Sequence, residues 1–107
     1  MGIQDWSENT ILVDLSAEPE MGKELVAVAE KVRDRVNCDV VIDFSNVDIV
    51  TSSSMSKLLI LRKTLSDRGH KLVFCSVSSA TKGIFMITGL DGNFEFVDDK
   101  SEVLTGL

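Results

Sequence analysis

Between two stretches of helical periodicity the chain carries three consecutive apolar residues, Val40-Val41-Ile42, closed by Asp43. The run is too short for a helix, and an uninterrupted apolar strand is the kind that a parallel sheet buries on both faces. Parallel neighbours must be joined by crossovers, usually helical, and the periodic stretches on either side supply them. This one segment therefore commits the chain to an α/β arrangement.

The remaining elements follow from local signals. Ile3 to Ser7 and Thr10 to Leu15 are short strand-like runs separated by Glu8-Asn9, a pair suited to a tight turn, so a hairpin opens the fold. After Pro19, Met21, Leu25, Val28, Ala29, Val32 and Val36 recur at three- and four-residue spacing, one face of a helix. Pro19 suits its first turn, Glu18 and Glu20 its positive end, and Asn37 a left-handed stop. A second helix starts at the serines before Met55, runs through Leu58, Leu59, Leu61 and Leu65, and stops at Gly69. Lys71 to Val77 reads as a strand. Ser78 is placed to cap a short helix through Ile84, Phe85 and Ile87 that ends at Gly89-Leu90. Asn93 to Val97 is a last strand, and Asp99 with Glu102 resembles a capping pair for a short helix through Val103 and Leu104. The expected fold class is α/β: a mixed sheet opened by an N-terminal β-hairpin, helices packed on it, one domain over residues 1–107.

Charge excludes some functions. The net charge is −6 over 107 residues, with lysines and arginines interspersed among acids, so no basic stripe is present to neutralise phosphates and direct nucleic-acid binding is not expected. No apolar run approaches the ~20 residues that cross a bilayer, and no charged-then-apolar leader opens the sequence, so neither membrane insertion nor export is expected and a cytoplasmic location is. Cys38 and Cys75 lie far apart beside apolar runs and read as reduced, packed thiols.

The segment Asp43-Phe44-Ser45-Asn46-Val47-Asp48-Ile49-Val50-Thr51-Ser52-Ser53-Ser54-Met55 stands apart. A buried strand ends in an acid, a short loop follows, and four consecutive hydroxyl residues meet the start of an apolar helix. One reading is capping: a Ser or Thr hydroxyl accepts from an unpaired amide of the first turn, worth about 1 kcal/mol. A cap needs one hydroxyl and this segment has four. The other reading is that a serine here receives a phosphate, which the free amides of a helix start tolerate and which adds about −2 charge to the surface.

Val41-Ile42-Asp43-Phe44-Ser45-Asn46-Val47, the serine run, the leucine-rich helix, Gly69 before Lys71-Leu72-Val73, and Gly89-Leu90 together resemble the STAS domain of bacterial anti-sigma factor antagonists, over essentially the whole chain. The resemblance implies a STAS-like sandwich with no catalysis and no cofactor, ATP and magnesium belonging to a partner. In that family an Asp-Ser-Ser-Gly pattern carries the phosphorylated serine, here Ser53. The implied partner is an anti-sigma factor that is also a serine kinase: the unphosphorylated chain binds it and frees the sigma factor, phosphorylation breaks the complex, and a serine phosphatase resets it. Two positions depart from the pattern, Thr51 where the family has aspartate and Ser54 where it has glycine. Ser53 is the expected acceptor, with Ser52, Ser54 or Thr51 as substitutes. The partner surface is expected at Ser45, Asn46, Asp48, Thr51, Ser52, Ser53, Ser54 and Met55, on a monomer or weak dimer. The alternative is an unphosphorylated scaffold or a subunit of a larger signalling or transport-associated assembly.

Other chemistries find little support. Sole His70 lies beyond the helix that begins at the serines, which at ~1.5 Å per residue puts it about 20 Å or more away, so a hydrolase would lack its base and His70 reads as a solvated turn residue. Two cysteines and one histidine form no close-spaced metal set. Asp43 and Asp48 flank the loop, either as solvated acids or as part of the partner surface. Met55 reads either as core or as an anchor. Trp6 supports the hairpin or joins an interface.

Overall fold

A computed structural model of the chain describes residues 2–35 and 37–104. Five strands, β1 (Gly2–Ser7), β2 (Thr10–Asp14), β3 (Asp39–Asp43), β4 (Leu72–Cys75) and β5 (Glu95–Val97), form one sheet in sequence order. β1 pairs antiparallel with β2 across Glu8-Asn9; β2, β3, β4 and β5 pair parallel. Between the parallel strands lie α1 (Glu20–Asp34), α2 (Ser52–Asp67) and α3 (Ser79–Ile87), and α4 (Lys100–Leu104) follows β5. The mixed α/β sandwich expected from the sequence is thus observed. Val40, Val41 and Ile42 are each fully buried.

Strand alternation divides the interior in two. Ile11, Val13, Val40, Ile42, Leu72 and Phe74 face the helices and meet Leu25, Val28 and Val32 of α1, Leu58, Leu61 and Leu65 of α2 and Phe85 of α3. On the opposite face, Leu12, Val41, Cys75 and Val97 form a smaller cluster, and α4 packs against β3 and β5. Phe74 lies at the centre of the larger core, with ring centroids 4.7 Å from Phe44 and Phe94, 5.7 Å from Phe96 and 5.9 Å from Phe85.

The helix ends follow local chemistry. Ser78 Oγ accepts from Thr81 N–H at 3.1 Å, as expected of a cap. Gly69 and Gly89 both have φ of +74°, and each is flanked by the paired bonds of a glycine stop: His70 N–H to Leu65 C=O and Gly69 N–H to Ser66 C=O, then Leu90 N–H to Phe85 C=O and Gly89 N–H to Met86 C=O. Asp99 accepts from Ser101 N–H at 2.9 Å, and Glu102 reaches back to Asp98 N–H at 3.2 Å. α3 also contains Gly83, where an added β-carbon meets nothing within 4 Å. Gly83→Ala should therefore raise stability by about 0.5–1 kcal/mol, read as a higher urea midpoint at unchanged slope.

Several expectations are corrected. Pro19, joined to Glu18 by a cis peptide bond, is the N-cap of α1, not its first helical residue. α1 ends at Asp34, short of Asn37, because Arg35 turns extended and reaches back to the hairpin: its guanidinium meets Asp5 at 2.5 Å and the Glu8 carbonyl, while Lys31 meets Asp5 at 3.2 Å. Val36, assigned to that helix face, lies outside the described residues. Ala29 is exposed, and Ile87 is 88% exposed, since their helices are covered on a narrower stripe than the periodicity suggests. Strand β4 stops at Cys75, where Ser76 takes a φ of +57°, and Asn93 belongs to a short 3-10 turn before β5.

Candidate functional site

The loop after β3 is held at both ends. Asp43 Oδ1 accepts from Ser45 N–H at 2.9 Å and from the Ser45 hydroxyl, folding the chain back as it leaves the strand. Val47 and Val50 are buried as anchors, whereas Ser45, Asn46, Asp48 and Ile49 face outward, Ile49 at 64% exposure. Asn46 Nδ2 approaches Asp14 at 3.5 Å, and the Asp48 carbonyl accepts from Thr81 Oγ1 at 3.4 Å. At the other end Thr51 caps α2, its Oγ1 accepting from Ser54 N–H at 3.1 Å.

One hydroxyl therefore does the capping, and the three serines separate by environment. Ser54 is 2% exposed and Met55 8%, both turned into the fold. Ser52 and Ser53 are exposed. Ser53 Oγ accepts from Lys57 Nζ at 2.9 Å, one turn along the helix. Of the eight residues expected to form a partner surface, Ser45, Asn46, Asp48, Thr51, Ser52 and Ser53 are exposed, whereas Ser54 and Met55 are buried.

Glu18 is the group that local reasoning missed. It precedes α1, yet its Oε2 accepts from Thr51 N–H at 2.9 Å, so a carboxylate sits at the start of α2. Burial raises its pKa, but the bond from the Thr51 amide, the Ser54 and Thr51 hydroxyls and the charge of Lys57 outweigh that and hold it below the usual value. At the far end Arg68 Nη1 donates to Val32 C=O at 2.7 Å, tying the C-terminal end of α2 to that of α1. Sequence placed Glu18 only as a charge near α1, because its partner is 33 residues away.

An apolar groove borders the serine edge. Val50, Met55, Leu59, Ile84 and Leu90 line it between α2 and α3, with Ser52 and Thr88 at its rim. Trp6, on β1, is 49% exposed.

Asp43 is buried and pairs with Lys100 at 3.3 Å. Burial pushes its pKa up, but the Ser45 hydroxyl and amide and the Lys100 ammonium prevail and hold the carboxyl below its ordinary value. A depressed folded pKa contributes stability that is present above the unfolded value of about 3.9 and is lost as pH falls through the folded one. Asp43→Asn keeps the acceptor for Ser45 and removes only the charge, so it should cost about 1 kcal/mol near neutral pH. That gap should close as the pH is lowered below the ordinary carboxylate range, in urea titrations of both proteins. An undiminished gap in acid would show that shape, not charge, is responsible.

The remaining polar candidates lie elsewhere. His70 is not a freely solvated turn residue: its Nδ1 lies 3.1 Å from Asp39 Oδ1 and its side chain is 22% exposed, because Asp39 also accepts from Lys71 N–H and draws the turn inward. It stands where β3 begins, whereas the serines follow the end of β3, so the sheet separates them. Cys38 and Cys75 are free and buried; burial raises both thiols, Cys75 to about 11, where Asp43 adds to the effect. Among the described residues no group of three His, Cys, Asp or Glu side chains converges, and no helix is long and apolar enough to cross a membrane.

Comparison with known proteins agrees with the fold. The family model described as the STAS domain matches residues 3–103. No curated protein matches the chain. Among solved structures, the anti-sigma factor antagonist SpoIIAA in its unphosphorylated form superposes with a TM-score of 0.76 at 12% identity, covering 98% of this chain and 94% of that one. The phosphorylated form of the Bacillus cell fate determinant SpoIIAA gives 0.71 at 10% identity, covering 99% and 98%. A sulfate transporter family protein from Wolinella succinogenes gives 0.65 at 14% identity, covering 92% and 88%. At such identities the likeness is one of fold.

Proposed function

The chain belongs to the STAS domain family, and from that membership we propose that it is a regulatory protein of the anti-sigma factor antagonist type, switched by phosphorylation at Ser53. In its unmodified form it binds an anti-sigma factor that is also a serine kinase, so that the sigma factor is released. The phosphate places about −2 charge on the contact surface and ends the interaction, and a serine phosphatase restores it. The chain acts as a single STAS domain over residues 1–107, in the cytoplasm, without catalysis or a cofactor of its own.

The observation that carries this reading is the separation of roles among the hydroxyls. Thr51 alone caps α2, Ser54 is buried, and Ser53 is exposed with its oxygen held by a side chain, so the fold has no need of its hydroxyl. Exposed Ser45, Asn46, Asp48 and Ser52 supply the polar part of the contact, and the groove between α2 and α3 offers the apolar surface that a stable complex buries.

The test is intact mass and site mapping of the protein purified from its own cells, beside a Ser53→Ala variant. A phosphate at Ser53 that the variant lacks supports the switch. Unmodified protein under every growth and stress condition would remove it.

A second reading, an unphosphorylated scaffold or a subunit of a signalling or transport-associated assembly, draws on the fold likeness to the sulfate transporter family protein and on exposed Met86 and Ile87 of α3. A scaffold self-associates as its concentration rises, whereas the switch protein stays a monomer or weak dimer, and sedimentation over a concentration series separates the two.

A further inference from the structure

Lys57 stands one turn after Ser53 on the same side of α2, its Nζ donating to Ser53 Oγ at 2.9 Å. Lys57 is half-buried and lines a groove between α1 and α2 together with Val26, Ala29 and Ile60. Opposite it on α1 is Gly22, where a β-carbon would stand 3.9 Å from both Lys57 Nζ and Ser54 Oγ. At that distance α1 lies in contact range of the ammonium. Glu18 is fixed to Thr51 N–H at 2.9 Å, and Glu30 and Arg33 of α1 line the same groove as Lys57.

We propose that Lys57 is a positioning residue of the switch: its ammonium orients the Ser53 hydroxyl before modification and is the counter-charge that holds the phosphate afterwards, opposed by the carboxylate of Glu18. This rests on Ser53 being the acceptor, as above. An ammonium has donors and no acceptor, so it occupies an Oγ lone pair and leaves the hydroxyl hydrogen directed elsewhere, free for a base of the kinase. In the transfer the Oγ–P bond forms as the bond between the γ-phosphorus of ATP and its bridging oxygen breaks. The hydroxyl proton goes to the kinase base and ADP departs. The phosphate then stands within reach of Lys57, a charge-assisted pairing, while Glu18 disfavours its second ionisation.

Encoding phosphoserine at position 53 of the full chain during translation takes the kinase out of the experiment, and a phosphorus NMR titration reads the second pKa of the phosphate. Lys57→Met should raise that pKa by about half a unit, since an exposed opposite charge shifts a neighbour modestly. Lys57→Arg should restore it, and Glu18→Gln should lower it. A thermal melt accompanies each variant; a merely structural role would move the melt and leave the titration in place. Equal titrations of the parent and Lys57→Met, or no restoration by Lys57→Arg, would overturn the assignment. The two readings fail separately: protein that never carries phosphate at Ser53 in its own cells ends the switch, whereas the encoded phosphate reports on Lys57 either way.

Discussion

Phe74→Ala should destabilise the protein by about 3–5 kcal/mol, a large part of the 5–15 kcal/mol that holds a typical domain folded. Phe74 is fully buried on β4 and touches each of the other four phenylalanines, which come from the β3 end, α3 and the β5 segment. Removing its ring takes away transferred apolar surface and leaves a void that neighbours on three separate segments cannot fill together. The loss is read as a lower urea midpoint, with poor recovery of folded protein at physiological temperature. Phe74→Leu keeps most of the volume and should cost markedly less. A small loss for Phe74→Ala would mean that α3 and β5 collapse onto the site and that the core is looser than its packing indicates.

Ser53→Asp should weaken binding of the partner kinase by about 30- to 100-fold, equivalent to about 2–2.7 kcal/mol, without lowering the stability of the chain itself. The two effects have opposite causes. Ser53 is the second residue of α2, where a carboxylate is favoured by the helix dipole, and Lys57 is 2.9 Å from its oxygen, so the fold accepts the charge. On the proposed contact surface a partner would have to desolvate that carboxylate, close to Glu18 at the start of α2. Calorimetric titration of the partner into Ser53→Asp and Ser53→Ala measures the first effect, and thermal melts the second. Binding equal to that of Ser53→Ala would show that charge at this position does not control the complex.

Much of the fold was legible because its signals are local. The Glu8-Asn9 turn, the Val40-Val41-Ile42 strand, the Ser78 cap and the stops at Gly69 and Gly89 each depend on a few neighbouring residues, and the structure bears all of them out. Ala29 and Ile87 were misplaced for the same reason in reverse. Helical spacing says which residues share a face but not how wide a stripe the rest of the molecule covers.

At the serine run, sequence showed an excess of hydroxyls over what a cap requires, and resemblance directed attention to Ser53. It left Thr51, Ser52, Ser53 and Ser54 open as acceptors, since four consecutive residues span a full helical turn and their orientation depends on which face the sheet covers. Only the docking of α2 against α1 and the sheet settles that Thr51 caps, Ser54 is buried and Ser53 is exposed beside Lys57.

The amino-acid sequence by itself determined the order of elements, the parallel character of the central strands and the helix stops at Gly69 and Gly89, because hydrophobic period, turn chemistry and glycine geometry act over a few residues. Tertiary structure decided what surrounds Ser53. Glu18 reaches Thr51 across 33 positions and Gly22 faces Lys57 from another helix, and such contacts exist only once the apolar stripes of α1 and α2 have been buried side by side on the sheet.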